Sequence, residues 1–171
     1  MDKESFSERV KNLNEMIKNP DHAQKFIESG ILFQEAFGFS DKQMHDFYHF
    51  ARRLCEEERF QDASDVFLVL TALNPYVCHF WLGLGLCHKI ERNYKRALFD
   101  YSMGMAVDRE NPYTYYNIAD CYFCLGEKQI FEEFIDLCIE KSLKKEAYRN
   151  LEEEARAFKK KVNRDKKQIG N

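Results

Sequence analysis

The chain has 171 residues, 44% hydrophobic and 15% aromatic, with a formal net charge of −3. That composition excludes a disordered chain and fits one domain with a substantial core. No apolar run approaches the ~18 residues of a membrane-spanning helix; the best, at 66–70, is far too short.

Only three prolines and seven glycines punctuate the sequence, which argues for long regular elements. A first helix is expected from Ser5, because Phe6, Val10, Leu13 and Ile17 fall on one face at helical spacing. Asn19-Pro20 ends it, since a residue before proline avoids the helical region. A second segment spans 21–29, closed by Gly30. Next come Ile31-Leu32-Phe33 and Ala36-Phe37-Gly38-Phe39, greasy enough to dock against the first repeat or to be covered by another subunit.

Ser40 and Gln43 form a candidate capping box, and from there the sequence repeats itself every 34 residues. Trp81 answers to Phe47 and Tyr115, Leu84 to Phe50 and Ile118, and Gly85 to Ala51 and Ala119. Later in the period, Ala97 answers to Ala63 and Phe131, and Tyr101 to Phe67 and Ile135. A 34-residue period with W-x2-L-G early and A-x3-F/Y later is the signature of the tetratricopeptide repeat, a helix–turn–helix unit. Bulky residues fill the space between paired helices, and the small ones let backbones approach. The expected fold is therefore all-α, with three tandem repeats at 41–75, 76–109 and 110–142. An N-terminal helical segment (1–40) precedes them, and a C-terminal capping helix with a basic tail (143–171) completes the chain. Asn111-Pro112 should open the third repeat as N-cap and first helical residue. Gly126 sits at its inter-helix turn. In the last helix Leu143, Ala147, Leu151, Ala155, Phe158 and Val162 make an apolar stripe, as an end cap of a repeat array requires.

Charge is uneven: residues 140–171 carry +5 and residues 1–139 carry −8. The lysine clusters at 159–161 and 166–167 lack interleaved aromatics, so we read a solvated helix end, favoured by the helix dipole, rather than a nucleic-acid surface. Six cysteines without a secretory signal layout at the N-terminus point to free thiols and a cytosolic protein. His45 and His49 have the i, i+4 spacing of H-E-x-x-H, but Asp46 stands where that motif needs Glu. Cys121-x2-Cys124 has no second pair. No phosphate loop or nucleophile motif is present, so neither enzyme activity, metal nor cofactor is expected.

The repeats should leave one face free. In each, the residue after the core aromatic and those four, seven and eight further on point into a concave groove. They are Tyr48, Arg52, Cys55 and Glu56, then Leu82, Leu86, Lys89 and Ile90, then Tyr116, Asp120, Phe123 and Cys124, with His79 and Tyr113 flanking. Several are apolar where the core does not require it. Such a groove suits an extended peptide, its apolar anchors in pockets and Arg52, Lys89 and Asp120 fixing its direction. A generic repeat adaptor for protein assembly is the alternative.

The segment F-I-E-S-G-I-L-F-Q-E-A at 26–36, Tyr48 with Phe50-Ala51, F-W-L-G-L-G-L-C at 80–87 and A-L-F-D-Y-S-M-G-M-A at 97–106 resemble the class II chaperones of type III secretion. These are the LcrH/SycD/IpgC-type chaperones of translocator proteins. The resemblance covers about residues 22–140. It implies a bacterial cytoplasmic chaperone that keeps hydrophobic translocators soluble and secretion-competent, with Tyr48, Leu82 and Leu86 in the groove. It departs from the family pattern at Arg52 and Cys55 and in its longer basic C-terminal helix. It also implies a homodimer built through the N-terminal segment. We expect Phe6, Val10, Leu13, Ile17, Ile31, Leu32, Phe33 and Phe37 at that interface.

Overall fold

The structure is a computed structural model that describes residues 28–169, with side chains to residue 164. The expected helix bearing Phe6, Val10, Leu13 and Ile17 lies outside the described residues. A short helix α1 (Phe33–Ala36) leads into three hairpins: α2 (Asp41–Glu56) with α3 (Phe60–Leu73), α4 (Cys78–Ile90) with α5 (Tyr94–Val107), and α6 (Pro112–Cys124) with α7 (Lys128–Ser142). A 3-10 turn (Glu146–Tyr148) then leads into α8 (Arg149–Ile169). No strand occurs among the described residues.

Helix ends reflect local chemistry. The Ser40 hydroxyl accepts from the Gln43 backbone N–H at 3.3 Å, and the Gln43 side chain accepts from the Ser40 N–H at 2.9 Å. These two bonds are the capping box that opens α2. Asn111 caps α6 by accepting from the Tyr113 N–H at 3.1 Å, with Pro112 in the first turn. The first helix of each hairpin ends on a left-handed residue: Glu58 (φ 59°), Arg92 (φ 61°) and Gly126 (φ 81°), spaced by the 34-residue period. In each case the next N–H reaches back to a carbonyl of the last turn, Arg59 to Leu54, Asn93 to His88 and Glu127 to Tyr122, at 2.8–2.9 Å. This is the Schellman closure, for which glycine is the unstrained choice; only the third turn has it.

The core obeys the same period. Ala51, Ala63, Ala97, Ala119 and Phe131 are completely buried, as are Tyr101 and Ile135, and Phe67 nearly so. Gly85 shows why small residues recur: a Cβ there would stand 2.6 Å from the Tyr101 ring. Trp81 and Tyr115 also share a polar anchor, each donating at 2.8 Å to a carbonyl six residues upstream, on Pro75 and Arg109. The first hairpin breaks the pattern. Leu84 and Ile118 are 2% and 1% exposed, whereas Phe50 at the same register is 43% exposed and Phe47 38%. In the later hairpins a preceding helix pair covers this face. Here, among the described residues, Phe39 meets Phe47 edge-on at 5.7 Å between ring centroids, and Arg53 lies over Phe50 at 5.6 Å.

The C-terminal cap differs from the sequence reading. Leu143 is exposed at the end of α7 and Ala147 is exposed in the 3-10 turn, so neither joins the apolar stripe. That stripe is Leu151, Ala155 and Val162, with Phe158 half-buried beside them. The helix continues to Ile169.

Candidate functional site: a trough along the first helices of the hairpins

A trough of about 800 Å³ runs across α2, α4 and the start of α6. From α2 it takes Tyr48, Arg52, Cys55 and Glu56; from α4, His79, Leu82, Gly83, Leu86 and Ile90; from α6, Tyr113 and Asn117. Phe60 and Phe67 of α3 complete it. Tyr48 is fixed by rings on three sides: Phe67 at 6.1 Å edge-on, Phe80 at 5.9 Å and His79 at 6.3 Å. Leu86 is 36% exposed within the same space. At the floor, a Cβ on Gly83 would fall 2.3 Å from the Phe67 ring, so glycine lets the ring itself surface there.

Nine of the fourteen sequence-expected groove residues line this one space: Tyr48, Arg52, Cys55, Glu56, His79, Leu82, Leu86, Ile90 and Tyr113. The other five do not; Cys124, for one, is exposed at the end of α6. Lys89 and Asp120 bind each other at 2.8 Å, bridging α4 and α6, with the Lys89 ammonium also 3.4 Å from the Asn117 side-chain oxygen. Each satisfies the other's charge, so the pair acts as a brace between repeats instead of two free handles for a peptide. Tyr116 and Phe123 turn toward α8. The Tyr116 hydroxyl donates to Glu154 at 2.6 Å, and the Phe158 ring lies tilted 6.1 Å from Tyr116 and edge-on 5.1 Å from Phe123. Burial, then the Glu154 carboxylate, push the Tyr116 phenol well above its ordinary range. Groove spacing alone missed this because it ignores the helix packed onto the last repeat. It also missed Phe60, Phe67, Gly83 and Asn117. Gly83 left a signal: its counterparts at the same register are His49 and Asn117, so the first glycine of L-G-L-G is not demanded by the repeat.

The thiols differ sharply in setting. Cys55 is partly exposed on the trough wall, and its Sγ lies 3.9 Å from that of buried Cys87. Desolvation raises both, Cys87 far more. Cys121 is buried and pushed up to about 12 by desolvation, while its sequence neighbour Cys124 is exposed. His45 and His49 meet Nε2 to Nε2 at 3.0 Å. Among the described residues no group of three or more such side chains converges on a metal-sized space. Of the expected interface residues, Ile31 and Phe33 are exposed and Leu32 and Phe37 half-buried within this one chain.

This geometry has known counterparts. The low calcium response locus protein H of Yersinia pestis is 28% identical over 104 residues, which are 61% of this chain and 62% of that protein. The match thus spans less than two thirds of that relative's length. The type III secretion chaperone SycD of Yersinia enterocolitica, solved with a peptide of the translocator YopD, superposes with a TM-score of 0.70 and 26% identity. That alignment covers 74% of this chain and 97% of SycD. PcrH, solved with the chaperone-binding region of PopD, gives 0.72 and 26%, covering 75% and 97%. The chain is similar in sequence and fold to these secretion chaperones. No protein-family model matches it. The helical-hairpin fold is common to this chain and the translocator chaperones. About a quarter of this chain falls outside each alignment, although nearly all of SycD and PcrH is matched.

Proposed function

We propose that the protein is a non-enzymatic chaperone of type III secretion that holds an extended segment of a hydrophobic translocator in this trough. The observation that carries the reading is an apolar trough on helices whose core positions are already filled. Leu86 stands exposed in it, and Tyr48 and Leu82 line it while half-buried against the core. An extended client would seat apolar side chains against the Phe67 floor and the Leu82–Leu86 wall, with Arg52 and Glu56 at the edge. Two similar proteins, SycD and PcrH, have been solved with segments of translocators, which supports the same class of client here.

The physical service is sequestration. Segments destined for a membrane aggregate at cytoplasmic concentrations unless their apolar side chains are covered. No helix among the described residues is long and apolar enough to cross a membrane, in keeping with action in the bacterial cytoplasm. We further propose a homodimer through the N-terminal segment, with Ile31, Leu32, Phe33 and Phe37 contributing together with the Phe6–Ile17 stripe.

The test is co-expression with a two-span translocator of the same secretion system. The protein should render the translocator soluble, and Leu86→Glu or Tyr48→Glu should abolish capture while circular dichroism stays helical. A translocator equally insoluble with and without the protein would refute the reading. Loss of helix in both variants would show instead that these residues serve packing.

A further inference from the structure

Cys55 and Cys87 come from the first helices of adjacent hairpins and are the only pair of sulfurs brought into contact among the described residues, Sγ to Sγ at 3.9 Å. One faces the trough and is reachable by a small molecule; the other is completely buried immediately behind it. Four further thiols lie elsewhere: Cys78, Cys121 and Cys138 are buried, and Cys124 is exposed at the end of α6. An accessible sulfur with a resolving sulfur in contact is the arrangement from which an internal disulfide forms, whereas an exposed thiol without one stops at a mixed disulfide.

We propose that Cys55 and Cys87 are a modification site for low-molecular-weight disulfides such as oxidised glutathione, which convert them into a crosslink between the first and second repeats. The Cys55 thiolate attacks one sulfur of oxidised glutathione, forming a mixed disulfide and releasing one glutathione thiolate, which takes up the proton Cys55 gave up. The Cys87 thiolate then attacks the Cys55 sulfur and expels the second glutathione in the same way. Two protein thiols are oxidised, one oxidised glutathione is reduced to two thiols, and the protein loses two hydrogens. The sulfurs must close from 3.9 Å to the roughly 2 Å of a disulfide. Desolvation holds both thiols protonated at neutral pH, so the reaction is slow and accelerates about tenfold per pH unit while both stay below their pKa. The product ties α2 to α4 at the trough wall and removes the Cys55 thiol from it. This proposal does not rest on the identity of any client.

The experiment is incubation of the folded protein with excess oxidised glutathione at pH 7 and pH 8, then intact mass and non-reducing peptide mapping. We expect a species that has lost two hydrogens, with a Cys55–Cys87 linked peptide, formed about tenfold faster at the higher pH. Cys124 should carry glutathione as a mixed disulfide in the same sample. Cys87→Ala should leave Cys55 trapped as its own mixed disulfide, and Cys55→Ser should leave Cys87 unmodified. Both variants are run alongside Cys124→Ser, which should form the crosslink normally and guards against a chain that has simply lost its fold. A persistent glutathione adduct on Cys55 in the unaltered protein, or no reaction at Cys55 while Cys124 reacts, would overturn the proposal.

Discussion

The first two hairpins and the third use the same register differently. Tyr48, Leu82 and Tyr116 stand 34 residues apart, each one residue after the aromatic of its first helix. The first two line a trough of about 800 Å³; the third gives its hydroxyl to Glu154 and its ring to Phe158. Nothing within the repeat decides this. The deciding factor is the next element: α2 and α4 precede hairpins set to continue the array, while α6 precedes, after α7, a single helix whose aromatic residue lies against it. Stacking repeats build the trough, and the cap limits its length.

The most disruptive way to break that contrast is Phe158→Ala. The ring touches Tyr116, Phe123 and Phe131. It is only half-buried, so the expected loss is about 2 kcal/mol, below the ~3–5 kcal/mol of a fully buried aromatic. Urea unfolding should register it as a lower denaturation midpoint. Gly83→Ala works on the other region. Its methyl would overlap the Phe67 ring, so we expect a cost of about 1–3 kcal/mol and a shallower trough, read as weaker client capture. An alanine with unchanged stability would mean that the Phe67 ring is free to retreat.

Two smaller changes sharpen the comparison by making the repeats more alike. Tyr101 is completely buried and its hydroxyl has no hydrogen-bond partner among the described residues; Phe67 and Ile135, at the same register, have no hydroxyl at all. Tyr101→Phe should therefore stabilise the protein by about 1 kcal/mol, seen as a higher denaturation midpoint at constant slope. Glu58→Gly puts at the first turn the residue type that Gly126 provides at the third, relieving a left-handed glutamate at φ 59°. The expected gain is about 0.5–1 kcal/mol, and no gain would mean that the Glu58 side chain offsets its own backbone strain.

These contrasts mark how far the sequence could be read. The hairpins, the capping box at Ser40, the Asn111-Pro112 start and the small-residue positions all come from a period and from local caps, which depend on neighbours a few residues away. Nine groove residues came from the same spacing and its flanks. Lys89 and Asp120 were legible as groove charges but not as partners, because their bond spans two repeats. The contacts of Tyr116 and Phe123 with α8 were not legible for the same kind of reason: the turn that brings Phe158 onto them has no periodic signal. Phe47 and Phe50 fit the repeat by residue type. Their exposure depends on the segment preceding the first hairpin, not on the repeat.

The central claim, a client segment lying along the first two hairpins, is tested most directly by alkylation of two cysteines in one molecule. Cys55 lies on the trough wall, and Cys124 is exposed outside it. Adding a saturating segment from the N-terminal region of a two-span translocator should slow iodoacetamide labelling of Cys55 at least tenfold and leave Cys124 unchanged. Equal labelling of Cys55 with and without the bound segment would contradict the account.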